Sequence, residues 1–292
     1  MPKNNDLYHM VKLVAYTHIW IAMGATAAAI ATVLTHGYPI GEWNAITVYG
    51  LLGIGITTGC IYTRQRRIKL RKNPSGIPQE RRAFLEHWQL AMIWAWSFAT
   101  VAWIVTCAAE WLAFFNLFID HTALLFGISV LVLGYASNPF SNGPGWRDIP
   151  RLKWPVIALT WGLVTGWLPL QFIPWDYTLD EWSVVKSIGV QTLFIAGITL
   201  PFDVRDVHVD PANLRTVAQQ TSPLFTTTLA FTLVLLSMGG FLAMDGTPAR
   251  VLTGAVALVG ILLAHFIRQE WIFSLWLDGC LILQGVLAFL LA

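Results

Sequence analysis

Long runs of apolar residues, separated by short polar breaks, form the main pattern along the chain. A soluble amphipathic helix shows its apolar residues as a stripe on one face, whereas these runs are continuous. A helix of about 20 apolar residues crosses the hydrocarbon core of a bilayer. The pattern therefore predicts a single polytopic membrane domain over 1–292 with nine spanning helices. The predicted spans are 14–34, 44–63, 88–108, 111–135, 154–171, 184–201, 224–244, 251–266 and 271–291.

The composition supports an all-α integral membrane protein. The 292 residues are 56% hydrophobic and 12% charged, with a mean hydropathy of +0.60, which lies outside the range of an ordinary soluble domain. The net charge of +2 is too small to indicate a nucleic-acid partner. The three cysteines show no CxxC spacing, so neither a disulfide framework nor a zinc site is predicted.

The distribution of Lys and Arg predicts the orientation of the chain. Cytoplasmic loops of membrane proteins carry the excess of positive charge. Nine spans with a cytoplasmic N-terminus place 16 of the 18 Lys and Arg residues on the cytoplasmic side, and only Lys186 and Arg250 fall outside. The predicted topology is therefore N-in and C-out.

The most informative polar segment is PFDVRDVHVDPANLRT, in the third predicted cytoplasmic loop. Its residues Asp203, Asp206 and Asp210 are spaced i, i+3 and i+7, so on a helix all three carboxylates share one face. Carboxylates this close repel each other unless a cation compensates them, and oxygen ligands of this kind suit Mg²⁺. The alternative is a solvated helix end in which Arg205 and Arg215 pair with the carboxylates.

The first predicted cytoplasmic loop is strongly basic. It begins RQRRIKLRK, and the chain contains no acidic residue between Trp43 and Gln79. One interpretation is a positive-inside anchor that also contacts anionic membrane lipid. The other is an anion site for a diphosphate, in which Arg64 and Arg67, one helical turn apart, bind phosphate oxygens.

The second predicted cytoplasmic loop, GYASNPFSNGPGWRDIPRLKWP, is rich in Gly, Pro and Asn. Irregular backbone at membrane depth is tolerated only where it is buried in protein or lines a cavity. Tyr135 and Asn138 are therefore candidates for the mouth of a pocket, and a plain surface turn is the alternative. Arg147, Arg151 and Lys153 lie near the end of this loop.

These motifs resemble those of the UbiA superfamily of intramembrane prenyltransferases. Asp203, Asp206 and Asp210 match the second family motif, DxxDxxxD, at its expected place after the sixth span. Arg215 lies in a similar short basic-Thr run, and the loop from Arg147 to Lys153 is where the family binds diphosphate. The resemblance implies Mg²⁺ at the three aspartates, a prenyl diphosphate and a lipophilic acceptor as substrates, and the inner membrane of a bacterium as the location.

The chain departs from the family after its second span. The family has NDxxDxxxD there, whereas this chain has GCIYTRQRRIKLRK. In one possible outcome Arg64 and Arg67 neutralise the diphosphate directly, and prenyl transfer proceeds with the remaining Asp motif. In the other the arginines pair permanently with the aspartates, and the protein is a silent lipid-binding or quinone-binding relative, or a subunit of a membrane complex.

A few other polar residues lie within the predicted spans. His18, His121 and His265 are candidates for haem or metal ligation, but no HxxxH pattern supports that role. Asp278 follows the turn between the last two spans by about two helical turns. We therefore predict that Asp278 belongs to the same cytoplasmic cavity as the Asp motif.

Overall fold

The computed structural model describes residues 13–72, 74, 77, 79–137, 144–174, 177, 180–244 and 248–291, and these residues form helices without strands. They contain ten α-helices of at least ten residues, numbered here in chain order. The helices are α1 Ile19–Thr35, α2 Ala45–Lys72, α3 Gln79–Thr106, α4 Trp111–Asp120, α5 Thr122–Gly134, α6 Lys153–Gly162, α7 Glu181–Arg205, α8 Pro223–Leu242, α9 Pro248–Phe266 and α10 Asp278–Leu291.

Two of these helices adjoin π-helical segments. Helix α6 continues through the π-helix Leu163–Trp167 and the 3-10 helix Leu168–Phe172, and α10 is preceded by the π-helix Ile272–Leu277. With these extensions, seven helical segments are long and apolar enough to cross a membrane. The prediction of an all-α membrane protein is therefore confirmed. The seven are Ala45–Lys72, Gln79–Thr106, Lys153–Phe172, Glu181–Arg205, Pro223–Leu242, Pro248–Phe266 and Ile272–Leu291.

Nine spans would require α1 and the α4–α5 pair to cross as well. Helix α1 has 17 residues and begins after His18, whose left-handed backbone (φ 66°) interrupts the helix. Helices α4 and α5, which cover the predicted span 111–135, meet at an angle of 87°. The hydroxyl of Thr122 donates to the carbonyl oxygens of Phe118 and Ile119 at 2.6 and 2.9 Å. These bonds satisfy backbone acceptors at the bend. Because α1 is short and the α4–α5 pair is bent, the count of nine spans and the orientation remain predictions.

The basic segment after the second predicted span continues that helix well beyond the predicted end of the span at residue 63. Helix α2 extends to Lys72 and α3 begins at Gln79, and each has 28 residues. Arg, Lys and Gln favour helix, and the basic residues of α2 lie at its C-terminus, where the helix dipole favours positive charge. The difference matters because a helix presents only one side of the basic segment to the rest of the protein.

The buried centre of the bundle consists of α1, α7 and α10. Helix α1 packs against α10 and α2, and α7 packs against α6 and α8. A Cβ atom at Gly285 would lie 2.6 Å from the carbonyl oxygen of Ala27, so α1 and α10 touch backbone to backbone. Such small residues let membrane helices approach closely. By contrast, α3 and α4 expose most of their large apolar side chains, as expected for a surface facing lipid.

The buried residue Arg250 links four helices. Its side chain is 2% exposed, and it has no carboxylate partner among the described residues. Its Nη1 donates to the Oε1 atoms of Gln191 and Gln284, both at 2.9 Å, and its Nη2 donates to Oγ1 of Thr32 at 2.8 Å. Neutral oxygens from α1, α7 and α10 therefore stabilise a positive charge carried by α9.

We expect the substitution Arg250→Met to lower the free energy of unfolding by about 3 kcal/mol, because several buried acceptors lose a charged donor. The measurement is the unfolding midpoint of the purified protein in detergent titrated with SDS. Arg71→Met is the matched control, since Arg71 is exposed at the end of α2. Equal midpoints for the two variants would contradict a stabilising role for the Arg250 network.

Candidate functional site

A cavity of about 1390 Å³ lies between helices α2, α3, α4, α5, α6, α7 and α10. It is larger than the 300–1,000 Å³ that is usual for small-molecule sites. Its deeper walls are apolar, so its size and lining suit a long hydrocarbon chain. These walls include Ile54, Trp103, Phe114, Leu117, Phe172 and Ile195.

Basic residues outnumber acidic ones around the cavity. Among the described residues that line it, eight are basic and four are acidic, so positive charge exceeds negative charge by four. We call the basic group the basic mouth. An apolar chamber with such an entrance suits an amphipathic ligand with an anionic head group. The basic mouth comprises Arg66, Lys69, Arg81, Arg82, Arg147, Lys153, Arg205 and Arg268; the acidic residues are Asp203, Asp206, Glu270 and Asp278.

Arg66 and Lys69 are the members of the basic mouth most available to a ligand. They lie one helical turn apart on α2, on the side that also carries Tyr62 into the cavity lining. Neither side chain has an ion-pair or hydrogen-bond partner among the described residues. Two unpaired cations beside an apolar chamber form an arrangement that a phosphate group can satisfy.

Lys153, the first residue of α6, connects two residues of the Asp motif. Its Nζ lies 2.7 Å from Oδ1 of Asp203 and also forms an ion pair with Asp210. Arg147 reaches the other oxygen of Asp210 at 3.9 Å. Asp203 is only 1% exposed, and its Oδ2 atom has no donor in the described part of the chain. The Lys153 ammonium is therefore the main compensation for a buried carboxylate.

Asp206 faces a different cation, its neighbour Arg205. The guanidinium Nε and Nη2 atoms donate to the two carboxylate oxygens at 2.7 and 3.2 Å. Burial alone would raise the pKa of Asp206, but the positive charge of Arg205 lowers it below its ordinary value. Arg205 also donates to Glu270 at 2.9 Å, and Glu270 in turn pairs with Arg81 at 3.4 Å. These ion pairs join the ends of α3 and α7 to the loop before the last span.

The three aspartates do not share one helix face. Helix α7 ends at Arg205, and the chain turns from Asp206 to Asp210, where the Asp210 N–H donates to the Asp206 carbonyl at 2.8 Å. Pro211, which follows, cannot continue a helix hydrogen-bond ladder. Even so, Asp203 and Asp210 converge on one ammonium group. The spacing predicted their proximity, but a turn and a lysine produce it.

The carboxylates in this arrangement do not fit a metal site built from protein groups alone. Among the described residues, no group of three or more His, Cys, Asp or Glu side chains is placed to hold a metal ion. Lys153 occupies the position between Asp203 and Asp210. The histidines have other contacts, since His18 hydrogen-bonds Thr63 and His265 hydrogen-bonds Thr227, each at 3.0 Å.

The other predicted binding residues fall into two groups. Tyr135 and Arg147 line the cavity, and the Arg147 guanidinium lies 5.8 Å from the centre of the Tyr135 ring. Burial raises the pKa of the Tyr135 hydroxyl, so it remains a neutral donor. Arg151 and Arg215 are exposed and do not line the cavity, and Arg151 donates instead to Gln220 at 3.2 Å. The prediction for Asn138 lies outside the described residues.

Arg64 and Arg67 also point away from the cavity. Both are exposed, and Nη1 of Arg64 donates to the carbonyl of Leu133 at 3.1 Å. Neither side chain reaches the Asp motif. The predicted binding residues Arg64 and Arg67 therefore lie on the side of α2 that does not line the cavity. The cavity-facing positions Arg66 and Lys69 continue the helical spacing of Tyr62, and this signal was present in the sequence.

We expect Lys153→Met to lower the free energy of unfolding by about 3 kcal/mol, because it leaves a buried carboxylate without its cation. The double variant Lys153→Met, Asp203→Asn should recover part of this loss. The midpoint of SDS unfolding measures both, and Lys186→Met, at an exposed position of α7, is the control. A Lys153→Met protein as stable as the control would show that the ion pair does not compensate Asp203.

The chain matches none of the known proteins with which it was compared. No protein-family model, no curated protein and no solved structure matches it. The resemblance to the UbiA superfamily therefore remains a prediction that rests on the Asp motif and the span pattern. The function has to be inferred from the cavity itself.

Proposed function

We propose that the protein binds an isoprenoid diphosphate in the cavity and transfers the isoprenoid to a lipophilic acceptor. The observation that carries this proposal is the pair of unpartnered cations, Arg66 and Lys69, at the edge of a large apolar chamber. A diphosphate supplies the missing negative charge, and an isoprenoid chain fills the apolar volume. The predicted orientation puts this end of the bundle at the cytoplasmic face of a bacterial inner membrane.

The basic mouth also suits the chemistry of prenyl transfer. The allylic C–O bond breaks, and the diphosphate leaves with the bonding electron pair. Positive side chains around the departing group, including Arg66, Lys69 and Arg147, stabilise the negative charge that develops there. The apolar walls keep water away from the allylic cation until the acceptor attacks it, forms the new bond and loses a proton.

Magnesium is the element of the resemblance that the geometry supports least. The resemblance implies Mg²⁺ at Asp203, Asp206 and Asp210. In the described residues these carboxylates are instead paired with Lys153, Arg147 and Arg205. We therefore assign the binding of the diphosphate to the basic side chains. Titration with the diphosphate in EDTA and in Mg²⁺ tests this assignment.

A second candidate function is binding without turnover. It is favoured by the ion pairs of Lys153 with Asp203 and Asp210, which neutralise the Asp motif without a substrate. In this case the protein holds an anionic lipid or a quinone, or serves as a subunit of a membrane complex. Release of diphosphate distinguishes the two candidates, since only a transferase cleaves the allylic C–O bond.

The direct test is calorimetric titration of the protein in lipid nanodiscs with geranylgeranyl diphosphate. We expect binding in EDTA, and we expect Arg66→Gln to weaken it about tenfold or more, because a charge-assisted hydrogen bond is lost. Arg64→Gln, on the same helix but outside the cavity, should leave the Kd unchanged. Absence of binding, or an equal effect of the two variants, would contradict the assignment of the cavity.

Two further arms separate the candidates. If binding requires Mg²⁺ and weakens in Asp203→Asn and Asp206→Asn, the diphosphate binds at the Asp motif and not at Arg66 and Lys69. Incubation with membrane lipid extract, followed by a diphosphate assay, then tests turnover. Steady release of diphosphate supports transfer, whereas tight binding without release supports the second candidate.

A further inference from the structure

Asp278 carries an acidic side chain that lines the cavity and has no role in diphosphate binding. It begins α10 directly after the π-helix Ile272–Leu277, and it lies about two turns along this segment from Glu270. Its side chain lines the cavity together with Leu281. π-Helical turns are rare in proteins, and those that occur are often found at functional sites.

The Asp278 carboxylate differs from the other acidic groups of the cavity in having no partner. Asp203 pairs with Lys153, while Asp206 and Glu270 pair with Arg205. Within the described ranges, no hydrogen bond or ion pair to the Asp278 side chain is formed. An ionisable group inside a membrane protein is costly and therefore usually has a functional role. A ligand with a hydrogen-bond donor would satisfy it.

Asp278 has two cations within electrostatic reach, Arg81 and Arg205. Both already form ion pairs with Glu270, so a neutral donor suits Asp278 better than a second anion. Tyr62 lies within electrostatic reach of the carboxylate. The Tyr62 ring forms an edge-on contact with Trp161 at 6.3 Å, and both rings line the cavity. The carboxylate repels a diphosphate, so the anionic head group remains with Arg66 and Lys69. A hydrogen bond to a carboxylate between apolar walls is stronger than one in water.

We propose that Asp278 binds the hydroxyl group of the acceptor and takes its proton during transfer. This inference rests on the proposed function, because it concerns the second substrate of that reaction. As the bond between the allylic carbon and the acceptor forms, the acceptor must lose one proton. That proton moves to the Asp278 carboxylate, while the electrons of the broken C–O bond leave with the diphosphate, so atoms and charges balance.

The test uses two probes that differ only in their hydrogen-bond donor, 4-nonylphenol and its methyl ether. Each is titrated into the protein in nanodiscs. We expect the wild type to bind the phenol about tenfold more tightly than the ether, the usual contribution of a hydrogen bond to a charged group. In Asp278→Asn the difference should fall to about threefold or less. Asp120→Asn, at an exposed position of α4 outside the cavity, should keep the full difference.

The outcomes for Asp278 and for the diphosphate site are separable. Titration of Asp278→Asn with geranylgeranyl diphosphate, which should bind as in the wild type, shows that the variant is folded. If the diphosphate binds but the wild type does not distinguish phenol from ether, the assignment of Asp278 is overturned and the diphosphate site stands. If the phenol preference depends on Asp278 but the diphosphate does not bind, prenyl transfer fails and the hydroxyl site stands.

Discussion

The ammonium group of Lys153 lies between the carboxylates of Asp203 and Asp210, at the point where α6 begins and α7 ends. A charge removed from water is expensive unless an opposite charge accompanies it, and Asp203 is almost completely buried. This requirement fixes the first turn of α6 against the last turn of α7. The position of the turn from Asp206 to Asp210, and with it one wall of the basic mouth, depends on the same contact.

The same requirement explains the contrast between the two charged regions of the bundle. Arg250 has no carboxylate partner among the described residues. Its Nη atoms donate to oxygens of Gln191, Gln284 and Thr32, and its Nε donates to the Thr35 hydroxyl at 3.5 Å. That network is closed and tightly packed, and it joins helices. Around the cavity, by contrast, Arg66 and Lys69 remain without partners. We take the closed network as structural and the open one as the place where a ligand completes the charge balance.

The sequence predicted the all-helical membrane architecture because apolar runs of this length have few alternatives in water or in a bilayer. The spacing of the Asp motif also predicted that Asp203 and Asp210 lie close together, and both contact Lys153. The sequence did not predict the 87° bend between α4 and α5, since the longest polar break in that apolar run is the three residues 120–122. The bend angle at such a break depends on how the two helices pack against the rest of the bundle, which hydrophobic periodicity does not encode.

The choice among the cations of the basic segment depended on similar information. Arg64 and Arg67 lie one helical turn apart, but this spacing alone does not show which side of the helix faces a cavity. Once the segment is helical, the side of α2 that carries Tyr62 determines which cations enter the cavity. The role of Lys153 as a bridge between two aspartates also depends on tertiary packing, because the three residues come from different elements. Sequence spacing therefore located the site but did not assign its contacts.

A structure of the protein with geranylgeranyl diphosphate, determined by electron cryomicroscopy in nanodiscs, would locate the diphosphate directly. We expect phosphate oxygens within hydrogen-bond distance of Arg66 and Lys69, with the isoprenoid chain extending toward Phe114 and Phe172. Density for the diphosphate beside Arg64 and Arg67 on the outer side of α2, or an apolar chamber that stays free of the chain at saturating ligand, would contradict this assignment of the cavity.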